Sequence, residues 1–178
     1  MPLPRSRQKV LTCLSFILIA LSSCGGRASQ CNQLISAINR AESFVGDYEQ
    51  SINQSLTQIS GAQGLEDIKT AANSYIEAVS EASNQTSTLA QDITDLNLAD
   101  DQLSGYRDRY ANVLTQSADA LTAAQSAMQP IADAETEADF SASFNTFQTQ
   151  TSTAYEQLQT ADSSGSTLIE NINTYCAP

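Results

Sequence analysis

The side chains able to do chemistry are few in kind. No histidine occurs in the 178 residues, which removes the commonest general base, the usual partner of serine and cysteine nucleophiles, and the commonest transition-metal ligand. A di-iron or di-manganese centre in a helical bundle needs Glu-x-x-His pairs, and none can be written here. What remains is four thiols, at Cys13, Cys24, Cys31 and Cys176, twenty carboxylates, and 66 Ser, Thr, Asn and Gln side chains. The hydroxyls are not set in a Gly-x-Ser-x-Gly, a Ser-x-x-Lys or a phosphate-binding glycine loop. Carboxylates gather at Asp92, Asp95, Asp100 and Asp101, and again between Asp133 and Asp139. Such groups can hold calcium through oxygen, but neither run has the spaced ligands and turning glycine of an EF-hand, and both suit helix caps. The residues thus predict no enzyme, no cofactor and no resident metal.

One basic and aromatic cluster stands out, Tyr106-Arg107-Asp108-Arg109-Tyr110. Tyr106, Arg107, Arg109 and Tyr110 are candidate contacts for a partner or a lipid headgroup. The competing reading packs the two tyrosines at i and i+4 along a helix seam and pairs the arginines with acids on neighbouring helices. With 8 basic against 20 acidic residues and a net charge of −12, the chain lacks the clustered cations that nucleic-acid phosphates require.

The first residues read as an address. Arg5, Arg7 and Lys9 precede an apolar run, Val10 to Leu21, after which the chain turns to Ser-Ser-Cys-Gly-Gly. A membrane-spanning helix needs about 20 apolar residues, so the pattern is that of a cleaved secretory signal. Leu21-Ser22-Ser23-Cys24 resembles the lipobox of bacterial lipoproteins, an aliphatic residue and two small residues before a cysteine. That resemblance implies acylation of Cys24 and cleavage before it, with residues 1–23 a signal peptide and 24–30 a short tether of at most about 25 Å. Two or more acyl chains hold a protein stably on a membrane where one does not. Gly25 after the cysteine implies forwarding to an outer membrane where such sorting operates. The mature body would carry five basic and twenty acidic residues, a net of −15.

If Cys13 leaves with the signal and Cys24 carries lipid, Cys31 and Cys176 remain. An extracytoplasmic compartment permits disulfides, and a bond between them requires their α-carbons to come within about 6 Å. The first and last elements of the body must then share an end.

Those elements read as helices. Apolar and small residues recur in steps of three and four along Leu34, Ile38, Ala41, Val45, Tyr48, Ile52, Leu56 and Ile59, with Phe44 widening the stripe. This is helical period, not strand alternation. Gly61 to Gly64 breaks the pattern, and it resumes from Leu65 to Leu96. A second break at Asn97 to Asp101 offers Asp100 and Asp101 as N-terminal residues of a third helix. That helix is predicted to end near Pro130, and a fourth stripe runs from Phe140 to Tyr175, frayed or kinked at Ser163-Ser164-Gly165-Ser166. The expectation is an all-α domain over 31–178, an antiparallel up-down-up-down four-helix bundle whose even helix count returns Cys176 to Cys31. Its seam is rich in Ala and Ser, so the core is slim.

The function expected is that of a non-enzymatic envelope lipoprotein, lipid-anchored and facing an extracytoplasmic compartment, serving as an interaction or spacer module, an accessory subunit of a membrane complex by analogy. Its partners are the membrane and an unidentified protein. The alternative is a bundle that binds a small ligand or a divalent cation. A contiguous pocket lined by Tyr75, Tyr106 and Tyr155 favours that alternative; a filled seam favours the spacer.

Overall fold

A computed structural model of the protein describes residues 17–177, with the side chains of 17–25, 41–47 and 49 left aside. The n-region, most of the apolar run and Cys13 lie outside the described residues. So do the side chains of Leu21 to Cys24, Ala41, Phe44 and Val45. Every regular element among the described residues is helical: α1 (Ile17–Gly61), α2 (Leu65–Thr94), α3 (Asp101–Ala132) and α4 (Glu137–Cys176). The apolar stripes explain why, since each buries a row of residues spaced by three and four, as in Tyr75, Val79, Ala82, Thr86, Leu89 and Ile93 of α2. No helix among the described residues is long and apolar enough to cross a membrane.

The ends are set by local chemistry. Asp100 accepts a hydrogen bond from the Leu103 amide at 3.0 Å and so caps α3. Thr136 and Asp139 form a reciprocal capping box at the start of α4. Two boundaries differ from expectation, and one expected irregularity inside a helix is absent. Residues 24–30, expected as a tether, lie within α1; Gln30 Nε2 donates to the Gly26 carbonyl across one turn there, and the residues from Arg27 to Gln30 have adequate helix propensity. The third helix passes Pro130 and ends at Ala132, because proline forfeits only the bond to the Ser126 carbonyl and its ring lies at the exposed surface. The fourth helix does not fray at 163–166. Ser163 and Ser164 return their hydroxyls to the Gln159 and Thr160 carbonyls, and Gly165 is buried, its missing Cβ within 3.5 Å of Val113 Cγ1.

Two apolar clusters make the core. One gathers the early part of α1 (Cys31, Leu34, Ile38), the end of α2 (Leu89, Ile93), the start of α3 (Leu103, Tyr106, Tyr110) and the end of α4 (Leu168, Ile172). The other gathers Ala72, Tyr75 and Val79 of α2, Leu121, Met128 and Ile131 of α3 and Ala154 of α4, with Tyr48, Ile52 and Ile59 of α1 half-buried against it. Between them lies a belt of hydroxyls. Buried Ser83 donates to the Ala118 carbonyl at 3.0 Å and sits 3.0 Å from the Thr122 hydroxyl, and buried Thr86 returns its proton to the Ala82 carbonyl. Buried hydroxyls satisfied in this way cost little.

The seams are unequal. α2 packs along α3, α3 along α4 and α1 along α2, whereas α1 meets α4 at few points. The outward face of α4 carries threonine at every seventh residue, Thr146, Thr153, Thr160, Thr167 and Thr174, interleaved with Gln150, Gln157, Ser164 and Asn171, all exposed. Over about 42 Å this strip holds no charge.

Candidate functional site

The structure places the expected thiol pair together. Cys31 and Cys176 are bonded, S–S 2.06 Å with α-carbons 5.7 Å apart, across 145 residues. Cys31 is buried in the first cluster. The Cys24 side chain lies outside the described residues, but its backbone is in α1, two helical turns before Cys31.

A polar knot surrounds this bond. Gln30 Oε1 accepts from the Ala99 and Asp100 amides at 2.6 and 3.0 Å, tying α1 to the α2–α3 linker. Tyr175, next to Cys176, donates its hydroxyl to Asp100, and the Arg27 guanidinium lies 5.4 Å from the Tyr175 ring centroid, a cation–π distance. The Leu103 amide, joined by the Tyr175 hydroxyl, the Gln102 amide and the Arg27 charge, holds the Asp100 carboxyl below its ordinary value. Hydrogen bonding to that carboxylate pushes the Tyr175 phenol up. Arg40 pairs with Asp92 at 2.9 Å between α1 and α2, a half-exposed bridge of small energetic weight.

The Tyr106–Tyr110 segment follows the seam reading in its tyrosines and departs from it in its arginines. Tyr106 and Tyr110 belong to the buried first cluster, with Tyr106 edge-on to Tyr175 at 6.0 Å, so they do not present a surface. The arginines do not reach acids on neighbouring helices. Arg107 donates from Nη1 to the Leu96 carbonyl and from Nε to its neighbour Asp108, both at 2.8 Å. Arg109 donates to the Gly105 carbonyl and lies 4.8 Å over the Tyr106 ring. The segment fastens the linker before α3 to that helix.

The three tyrosines that a ligand pocket would need do not converge. Tyr106 and Tyr75 lie in different clusters, burial pushes the Tyr75 phenol up, and Tyr155 is 65% exposed. Surface grooves are lined by amides, hydroxyls and scattered acids, as between α3 and α4 at Gln116, Asp119, Thr153 and Gln157. Among the described residues no three carboxylates or thiols gather as a metal-ligand group.

The remaining apolar surface of note lies near the start of α4. Phe140, Phe144 and Phe147 succeed one another along α4, with ring centroids 5.6 and 6.2 Å apart. Phe140 and Phe147 are half-buried against the second cluster, whereas Phe144 is 38% exposed and Leu56 of α1 is 42% exposed. Phe144 falls on the stripe that reads as core yet remains 38% exposed. Neither the Gln30 bridge nor the partial exposure of Phe144 has a signature in sequence, since both depend on how distant segments approach.

No known protein family, curated protein or solved structure matches this chain.

Proposed function

We propose that this protein is a non-enzymatic, lipid-anchored envelope protein, acylated at Cys24, whose helices form an up-down-up-down bundle that serves as an interaction module. The observation that carries the reading is the Cys31–Cys176 bond, which joins the early part of α1 to the last residue of α4. It supports an arrangement in which both ends of the body lie at the lipidated side and the Gly61–Gly64 and Ala132–Glu135 linkers lie far from it. Helical backbone at residues 24–30 shortens the distance from lipid to clasp from about 25 Å extended to about 10 Å. The clasped end is then held against the bilayer and the partner-facing end stands about 45 Å away, the length of α2.

Two measurements test it. Metabolic labelling with a fatty acid is expected to mark the protein and to be lost in Cys24→Ser; labelling that persists in the variant, or never occurs, removes the anchor. Spin labels at Gln63 and Glu135 are expected to lie within about 20 Å of each other and about 45 Å from a label at Asn97. A long separation between the first two removes the bundle topology.

A further inference from the structure

The positive charge of the chain is placed unevenly. No carboxylate occurs before Glu42, so the turns of α1 that follow Cys24 carry Arg27 and Arg40 and no acid, in a body that is otherwise strongly acidic. A cut before Cys24 leaves Arg27, Arg40, Lys69, Arg107 and Arg109 as the cations of that body. Three of them are spent on carboxylates, Arg40 on Asp92, Lys69 on Glu66 and Arg107 on Asp108. Arg27 and Arg109 form no ion pair among the described residues, and both are exposed.

Arg27 is nevertheless held in place. Its guanidinium lies 5.4 Å from the centroid of the Tyr175 ring. Tyr175 is itself fixed, by its hydroxyl on Asp100 and by edge contact with Tyr106 at 6.0 Å. Asp100, whose charge Arg27 feels, is already engaged by the Tyr175 hydroxyl and the Leu103 amide. A guanidinium seated on an aromatic ring keeps N–H donors free, and their fork matches the oxygens of a phosphate. The arrangement is that of a preoriented oxyanion receptor.

Position says which oxyanion. Arg27 follows Cys24 by three residues in α1, an advance of about 4.5 Å along the axis. The headgroup layer outside the hydrocarbon of a bilayer is about 5–8 Å deep. Acyl chains on Cys24 end at the inner edge of that layer, so Arg27 stands within it, level with lipid phosphates and with a tyrosine beside it, as membrane interfaces favour. Arg109 stacks on Tyr106 at 4.8 Å in the same manner, but its backbone lies about 12 Å along α3 from the start of that helix.

We infer that Arg27, seated on Tyr175, binds the phosphate of a phospholipid headgroup beside the lipid carried by Cys24. The inference rests on the acylation proposed above. It gives the anchored body a second point of attachment, so that the body does not swivel freely about its acyl chains.

The test uses the full processed chain in bilayers of phosphatidylcholine and phosphatidylglycerol, in phosphate-free buffer. Arginine guanidinium nitrogens are isotope-labelled, and their dipolar coupling to lipid phosphorus is read by solid-state NMR. A nitrogen–phosphorus contact of about 4 Å is expected, lost in Arg27→Gln and retained in Arg109→Gln, which removes a cation that is also exposed and tyrosine-stacked. Both side chains are exposed, so each variant is expected to keep the parent melting curve. No coupling in the parent chain, or coupling that survives Arg27→Gln, overturns the inference. So does coupling that appears only when inorganic phosphate is added, which makes the occupant a free anion. Fatty-acid labelling separates the two readings: a labelled chain without coupling sinks this inference alone, and an unlabelled chain that couples to added bilayers sinks the anchor alone.

Discussion

Tyr175 donates its hydroxyl to both oxygens of the Asp100 carboxylate, at 3.1 and 2.9 Å, across 75 residues of chain. The same carboxylate caps α3 through the Leu103 amide. One side chain therefore holds the start of one helix and the end of another beside the disulfide.

The pH dependence follows from that geometry. The Asp100 carboxyl is held below its ordinary value, chiefly by the Leu103 amide, so the folded state binds its proton less readily than the unfolded chain. Its contribution is complete above the ordinary carboxylate range and is lost as pH falls through the lowered value. Thermal melts from neutral to acidic pH are expected to show a loss that Asp100→Asn flattens. Parallel slopes for the two proteins would show that other carboxylates govern acid unfolding.

Opening the clasp should be costly. In the chain-entropy view a bond across 145 residues stabilises by about 5 kcal/mol, and each kcal/mol moves the midpoint of a domain this size by about 2–4 °C. Reduction, or Cys31→Ser with Cys176→Ser, is expected to lower the melting temperature by about 10–20 °C. A shift of a degree or two removes the argument that a slim core depends on this bond.

Gly165→Ala tests the approach of α4 to α3 at Val113 and Tyr110. A Cβ at that position meets Val113 Cγ1 at 3.5 Å and Tyr110 Cε2 at 3.9 Å, ordinary contact distances, so alanine fits. Replacing a mid-helix glycine should then stabilise the protein by about 0.5–1 kcal/mol. Gly165→Leu, which cannot fit between the same two side chains, should destabilise it by about 1–3 kcal/mol. Calorimetry showing both variants destabilised in equal degree contradicts this account.

The capping box gives a smaller, local effect. Thr136 Oγ1 accepts from the Asp139 amide at 3.2 Å while Asp139 Oδ2 receives the Thr136 amide at 3.0 Å. Thr136→Ala should cost about 1 kcal/mol, read by urea denaturation, and should speed amide exchange in the first turn of α4 while leaving the turn before Cys176 unaffected.

What could be read in advance was what periodicity and composition control. The stripes through Leu65 to Leu96 and Leu103 to Met128 mark α2 and α3, the glycines at 61 and 64 mark a linker, and the pairing of Cys31 with Cys176 follows once the other two thiols are assigned elsewhere. Interactions with backbone acceptors escaped. Arg107 was expected to seek an acid on another helix, but its longest-range partner is the Leu96 carbonyl, which no residue type advertises. Local propensity predicts a frayed or kinked helix at Ser163 to Ser166, whereas α4 runs unbroken there with Gly165 buried against Val113. The exposure of Phe144 was illegible for a different reason: a residue on an apolar stripe reads as buried whether or not a neighbouring helix arrives to cover it.

The buried hydroxyls of Ser83 and Thr86 lie between two storeys of the apolar interior. Only the storey that contains Cys31 is covalently closed. Such a molecule loosens from one side first, its two halves behaving as separate units in native-state exchange. Amides around Tyr75 and Met128 should exchange, and proteases should cut, while those around Leu34 and Ile172 stay protected. A protein pulled at its far end could thus yield there like a sacrificial hinge and keep its footing at the other.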